Sequence, residues 1–144
     1  MNTSDKGLAL ISQLEGVRLT AYRDSVGIAT IGVGHTGPDV YMGQTITADE
    51  CTALLRADVQ TAEDAVTQLV NVALTQDQFD ALVSFVFNLG QGNFEQSTLL
   101  KKINASDFDG AANQFQFWDK AGGHELPGLL KRRLAEASLF RGEL

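Results

Sequence analysis

The chain has 144 residues, 44% hydrophobic and 20% charged, the size and balance of one globular domain with room for a real core. Its formal net charge of −7 argues against a nucleic-acid binder, and no apolar run reaches the roughly 20 residues of a membrane span. One cysteine, Cys51, excludes an internal disulfide, and two histidines, His35 and His124, leave a zinc hydrolase short of ligands.

The charge is uneven. Residues 1–100 hold 4 basic and 12 acidic side chains and residues 101–144 hold 7 and 6, so any contact with an anionic polymer is expected in the last third. The start, Met1-Asn2-Thr3-Ser4-Asp5-Lys6, lacks a basic stretch followed by an apolar core, so no secretion signal is read and the expected location is a cytoplasm.

In chain order, Leu8, Ile11 and Leu14 recur near a 3.6-residue period and predict a helix over 4–15 with Ser4 as N-cap. Residues 17–36, rich in Gly, Thr, Ile and Val, read as a hairpin region, and 37–44 as turn. Thr47-Ala48-Asp49-Glu50 is a capping box that opens a long amphipathic helix over 48–69. Its inner side carries Cys51, Leu55, Val59, Ala62 and Val66, which makes Cys51 a buried thiol rather than a nucleophile; its outer side, with Arg56, Asp58, Gln60, Glu63 and Asp64, reads as solvated.

A second capping box, Thr75 to Gln78, opens a helix over 76–89 that is apolar nearly all round, the expected centre of the larger lobe, stopped by Gly90. Gly92-Asn93 reads as loop, 97–104 and 107–118 as helices capped by Ser97 and Ser106, and 121–126 as a glycine-rich loop. Pro127 then begins a last helix to about Phe140. The class is α+β, dominated by helix.

Three residues break the ordinary rules. Glu15 closes a helical pattern just before Gly16, where the negative end of the helix dipole disfavours a charged carboxylate and favours a proton donor. Asp24 and Thr30 flank the turn Ser25-Val26-Gly27; six apart, they can share one side of a hairpin. Two carboxyl groups with a hydroxyl beside them are the equipment of glycoside hydrolysis. Gly32-Val33-Gly34-His35-Thr36-Gly37 fits a dinucleotide fingerprint by letter only, because Pro38 and a turn follow where a helix is required.

The spacing Glu15, eight residues, Asp24, five residues, Thr30 resembles that of the phage-type lysozymes, glycoside hydrolase family 24. The words Glu15-Gly16-x-Arg18-Leu19-x-Ala21-Tyr22-x-Asp24 and Thr30-Ile31-Gly32-x-Gly34-His35-Thr36 carry the resemblance. It continues through Leu74-Thr75-x-x-Gln78-Phe79-Asp80-Ala81-Leu82, Phe87-Asn88-x-Gly90, Ser97-Thr98-Leu99-Leu100 and Pro127-Gly128-Leu129-x-x-Arg132-Arg133. It implies a lysozyme-like α+β fold: a small N-terminal β-hairpin lobe (about 14–47), a linking helix (about 48–69), and a helical lobe (about 70–144) that includes the N-terminal helix.

The resemblance also implies an endolysin that hydrolyses the β-1,4 bond between N-acetylmuramic acid and N-acetylglucosamine in peptidoglycan. Glu15 would protonate the leaving oxygen, Asp24 would stabilise positive charge and either attack or orient water, and Thr30 would hold that water or the substrate. Phe87, Asn88 and Ser97 become candidate substrate contacts, and His35 a structural residue held by a carboxylate. Arg132 and Arg133 would pair with acids near the active site or bind the wall polymer. No metal or cofactor is needed. The expected partner is the peptidoglycan glycan strand, with no nucleic acid and no stable membrane insertion; the expected protein is a monomer in the host bacterial cytoplasm, released to the wall by a separate holin. The competing reading is a non-catalytic wall-binding module that keeps the same fold.

Overall fold

The computed structural model describes all 144 residues. Its contacts gather into two compact units, Leu8–Gln60, and Met1–Gly7 together with Thr61–Leu144. No helix is long and apolar enough to cross a membrane.

Helix α1 (Asp5–Glu15) begins where expected: the Ser4 hydroxyl accepts the Gly7 N–H at 3.1 Å, satisfying one of the donors a helix start leaves open. In the unit Leu8–Gln60 it is followed by an antiparallel pair, β1 (Arg18–Arg23) and β2 (Ala29–Gly32), in which Tyr22 faces Thr30 and Arg23 faces Ala29. The chain then doubles back through Gly32 and Gly34, both at positive φ (69° and 67°), so that Ile31 and His35 exchange backbone hydrogen bonds of 2.9 Å each way. Residues 37–44 form turns, as the sequence suggests. They end on the outer side of β1, where Ala21 N–H donates to Gln44 O and Ile46 N–H to Leu19 O, each at 2.9 Å.

Helix α2 (Ala48–Asp58) opens on the full capping box of Thr47 and Glu50. A side chain at Gly32 would stand 3.3 Å from Cys51 Sγ and 3.6 Å from Ile46 Cδ1, so β2 lies directly on α2. Cys51 is buried, and burial pushes its thiol up, away from the reactive thiolate.

Where a single helix over 48–69 is expected, there are two, α2 and α3 (Gln60–Leu69). Val59 separates them: its ψ of −10° departs from the roughly −42° of a regular helix, although its N–H still reaches Leu55 O at 2.9 Å. No Gly or Pro marks the kink. The solvated face expected on this stretch is also wrong at two positions. Asp58 is half-buried, its Oδ2 2.7 Å from His35 Nδ1. Glu63 is buried, and its Oε2 accepts from Thr3 N at 2.5 Å and Thr3 Oγ1 at 2.7 Å.

The larger unit is built around α4 (Gln76–Leu89), every residue of which from Phe79 to Val86 is buried. α4 is followed by α5 (Gln91–Glu95), a short helix where loop is expected, α6 (Thr98–Asn104) and α7 (Phe108–Gln114), which tightens into a 3₁₀ turn over Phe115–Phe117. Phe85 sits among Phe94, Phe115 and Trp118, all edge-on with centroids 5.6–6.1 Å away. The glycine-rich stretch forms a two-residue hairpin, β3 (Lys120–Ala121) and β4 (His124–Glu125), turned by Gly122 and Gly123 at φ 58° and 81°. Pro127 opens α8 (Pro127–Phe140), which packs along α4.

The cap of α7 is not Ser106 but Asp107, whose side chain accepts the Gly110 N–H. Ser106 instead ends α6 at φ 59°: its N–H reaches Ile103 O and that of Asp107 reaches Lys102 O, both at 2.9 Å, the paired bonds of a Schellman turn. Glycine takes that conformation without the side-chain clash. Ser106→Gly is therefore expected to stabilise the fold by about 0.5 kcal/mol, raising the melting temperature by roughly 1–2 °C in calorimetry.

His35 ties the loop after β2 to α2 through Asp58 and to its own turn through Asp39, 2.9 Å from Nε2. Burial, the largest single influence, pushes the imidazole down, but the hydrogen bonds to Asp39 and Asp58 and their charges together outweigh it, and the net shift is upward. Asp39 moves down, chiefly through its bond to His35. A raised histidine gives stability that is complete below its unfolded value, about 6.5, and lost as pH rises through its folded value; the lowered Asp39 gives stability lost only as pH falls through its own. Melting temperature should thus fall above about pH 6.5 in wild type, and His35→Asn should flatten that slope while lowering the melting temperature below pH 6.

Candidate active site

Glu15 is the last residue of α1. The helix stops there because Gly16 takes φ 87°, which a side chain would resist, while its N–H closes the last turn on Ser12 O at 2.8 Å. Glu15 is exposed.

Asp24 stands where β1 ends, and its side chain builds the turn. Oδ1 accepts from Val26 N at 3.0 Å and Ile28 N at 2.8 Å, while the Asp24 backbone N–H donates to Ile28 O at 2.9 Å. The carboxylate thus replaces the backbone carbonyl that would normally pair with Ile28, an Asx-type turn closed by Gly27 at φ 86°. Both bonds fall on Oδ1, so Oδ2 is not spent on the turn.

Thr30, on the returning strand, is 3% exposed and donates its hydroxyl hydrogen to Ile28 O at 2.9 Å. With the hydrogen committed, its oxygen presents lone pairs, so a water beside it would be held as a donor. Glu15, Asp24 and Thr30 all lie in the unit Leu8–Gln60, the last two joined through Ile28.

The other named residues lie in the larger unit. Phe87 is half-buried. Asn88 is exposed, and its Oδ1 accepts from Arg133 Nη2 at 2.5 Å. Ser97 is only 2% exposed and its hydroxyl is used twice, donating to Phe94 O at 2.7 Å and accepting from Leu100 N at 3.0 Å. That leaves it no donor for a ligand; it is the cap of α6.

Arg132 and Arg133 are buried against Glu136, with Nε to carboxylate distances of 3.3 and 3.0 Å. Ser84 Oγ donates to Glu136 Oε2 at 2.5 Å, and Arg132 Nη2 reaches Ser84 O at 3.2 Å. Burial pushes Glu136 up against the downward pull of the two arginines. Two of the seven cations in the last third are therefore interior, and a third, Lys102, pairs with Asp107 at 3.4 Å, so that region is less cationic than its composition suggests.

One association at the hairpin was not anticipated. The guanidinium carbon of Arg18 lies 4.3 Å from the centroid of the Tyr22 ring. Spacing along β1 gave no firm signal for it, because the pairing register shifts between Arg18 and Tyr22. No group of three or more His, Cys, Asp or Glu side chains is placed to hold a metal ion.

Comparisons with known proteins bear on the family of the whole chain. A family profile described as phage lysozyme matches residues 12–136. The endolysin of Salmonella phage P22 is 46% identical over 144 residues, covering 97% of this chain and 98% of that protein. The endolysin of Bacillus phage B103 is 47% identical over 142 residues, 97% of this chain, but the chain spans only 54% of its length. Among solved structures, the muramidase domain of SpmX from Asticaccaulis excentricus matches with a TM-score of 0.88 at 40% identity, covering 96% of this chain and 97% of that one. With Glu15, Asp24, Thr30 and all but the ends of the chain inside the matched region, the chain belongs to the phage lysozyme family.

Proposed function

We propose that Glu15, Asp24 and Thr30 form the catalytic group of an N-acetylmuramidase that cleaves the β-1,4 bond between N-acetylmuramic acid and N-acetylglucosamine. As a phage lysozyme the chain is a glycosidase acting on peptidoglycan in host lysis. The single observation that carries the assignment of roles is the Asp24 turn, in which one carboxylate oxygen holds the backbone and the other is left for chemistry.

Glu15 donates its proton to the leaving oxygen, which lets the glycosidic bond break without expelling an alkoxide. Positive charge then develops on the sugar, and Asp24, fixed by two backbone N–H groups, meets it without reorganising. Thr30, accepting from a water, leaves that water's own lone pair aimed away from the hydroxyl and toward the sugar. Phe87 and Asn88 remain candidate wall contacts. Retention in the host cytoplasm, release by a holin and action as a monomer belong to the same proposal.

Glu15→Gln is expected to lower digestion of purified peptidoglycan by about 10²–10⁴-fold, with unfolding temperature and wall sedimentation unchanged. Mass spectrometry should find reducing N-acetylmuramic acid ends with wild type alone; wild-type fragments with anhydro-muramic ends would defeat the hydrolase assignment. Asp24→Asn separates turn from chemistry, because an amide oxygen still accepts both backbone bonds. It should melt within a degree or so of wild type yet lose most turnover, whereas Asp24→Ala should lose both.

A further inference from the structure

An acidic protein that works on an acidic polymer needs a cation where the polymer is held. In the unit Leu8–Gln60 there are six acidic residues and three arginines, Arg18, Arg23 and Arg56. Arg23 donates to Gly27 O at 3.2 Å inside the Asp24 turn, and Arg56 is engaged by other groups. Arg18 differs from both. Its one contact of note is the ring of Tyr22, with no carboxylate or carbonyl taking its N–H groups, although it lies in a chain of 18 acids.

The stack does two things. It holds an otherwise mobile side chain over a ring, and an attraction between cation and ring leaves the N–H donors of the guanidinium for another partner. Those donors match one partner best, a carboxylate taken in two parallel hydrogen bonds. The position is equally telling. Tyr22 directly faces Thr30 across the β1–β2 pair and precedes Asp24 by two residues. Residues facing each other across a ladder share one side of the sheet, so Tyr22, which carries Arg18, is the cross-strand neighbour of Thr30.

We propose that Arg18, held in place by Tyr22, is the carboxylate-binding residue of this site, gripping a carboxylate of the muramyl unit or of its peptide stem. The inference rests on the peptidoglycan reading above. It makes Arg18 a specificity residue: it selects glycan that carries negative charge and seats it against Thr30 and Asp24, and Tyr22 positions Arg18.

The test is sedimentation with insoluble peptidoglycan in three forms: intact, carboxyl-amidated by carbodiimide and ammonia, and stripped of stem peptides to free the lactyl carboxylates. Wild type, Arg18→Ala, Arg18→Lys and Tyr22→Leu are compared, with thermal melts as the folding control and turnover measured in parallel. Wild type should bind intact wall about tenfold or more tightly than amidated wall, the size expected of a charge-assisted bidentate contact. Arg18→Ala should erase that ratio, Arg18→Lys should restore only part of it, and Tyr22→Leu should weaken it. Loss on stripped glycan alone assigns the lactyl carboxylate; loss on intact wall alone assigns the stem. Arg18→Ala that binds both intact wall and stripped glycan as tightly as wild type overturns the proposal. Because binding is read without turnover, wild type that binds with the expected ratio but cleaves nothing would sink the muramidase reading and leave Arg18 standing.

Discussion

The burial of α4 is the constraint on which the larger unit depends. Eight consecutive residues, Phe79–Val86, are out of solvent, and two of them, Asp80 and Ser84, are polar. A buried carboxylate left alone would cost several kcal/mol, so Asp80 has to recruit donors. It takes the Ser4 backbone N–H at 3.1 Å, the Ser4 hydroxyl and Gln76 Nε2 at 2.8 Å. The N-terminal segment is laid along α4 by that need, with Thr3 pinned in turn by Glu63. On the other side Ser84 meets Glu136 and Arg132, so α8 is matched to α4 by polar as well as apolar contacts. Removing one charged partner from the buried Arg132, Arg133 and Glu136 group would cost about 3–5 kcal/mol, a large part of the stability of an ordinary domain.

The smaller unit is organised by hydrogen bonding more than by burial. Four consecutive residues of it, Thr30–Val33, are buried, but the turn that carries Asp24 is exposed at Ser25, Val26, Gly27 and Ile28. What keeps such a turn in one shape is the pair of N–H groups on Asp24 Oδ1 and the threonine hydroxyl on Ile28 O. The groups assigned to chemistry are the same ones that hold the backbone. Those bonds hold a short, solvent-facing turn in one backbone shape without burial.

How much of this was legible in the sequence follows from the distance between partners. The caps at Ser4, Thr47, Thr75 and Ser97 and the proline at 127 act on groups three or four residues away, and each marks a helix start correctly. Ser106 misled because Asp107 beside it caps better, and because the left-handed role at Ser106 is one that composition assigns to glycine. Asp58 and Glu63 read as surface since their partners, His35 and Thr3, are 23 and 60 residues away. Arg132 and Arg133, read as pairing with acids near the active site or binding the wall polymer, are buried against Glu136 of their own helix, and the contact of Arg132 with Ser84, 48 residues away, is the part that spacing could not show. At the site, Glu15, Asp24 and Thr30 were named from spacing, whereas the commitment of Ser97 to its own helix and the stacking of Arg18 needed coordinates.

The contact between α1 and Asp80 has a consequence for how such a sequence can change. A methyl group at Gly7 would lie 2.6 Å from Asp80 Cγ and 2.8 Å from a methyl of Thr3, inside any tolerable contact. Gly7 has no unusual backbone angle to explain it; it is glycine because a carboxylate occupies the place of its side chain. Neither residue is free to drift alone. Enlarging position 7 requires Asp80 to shrink or leave, and losing Asp80 strands the donors of Ser4 and Gln76, so in descendants of this chain positions 7 and 80 should be inherited as a pair.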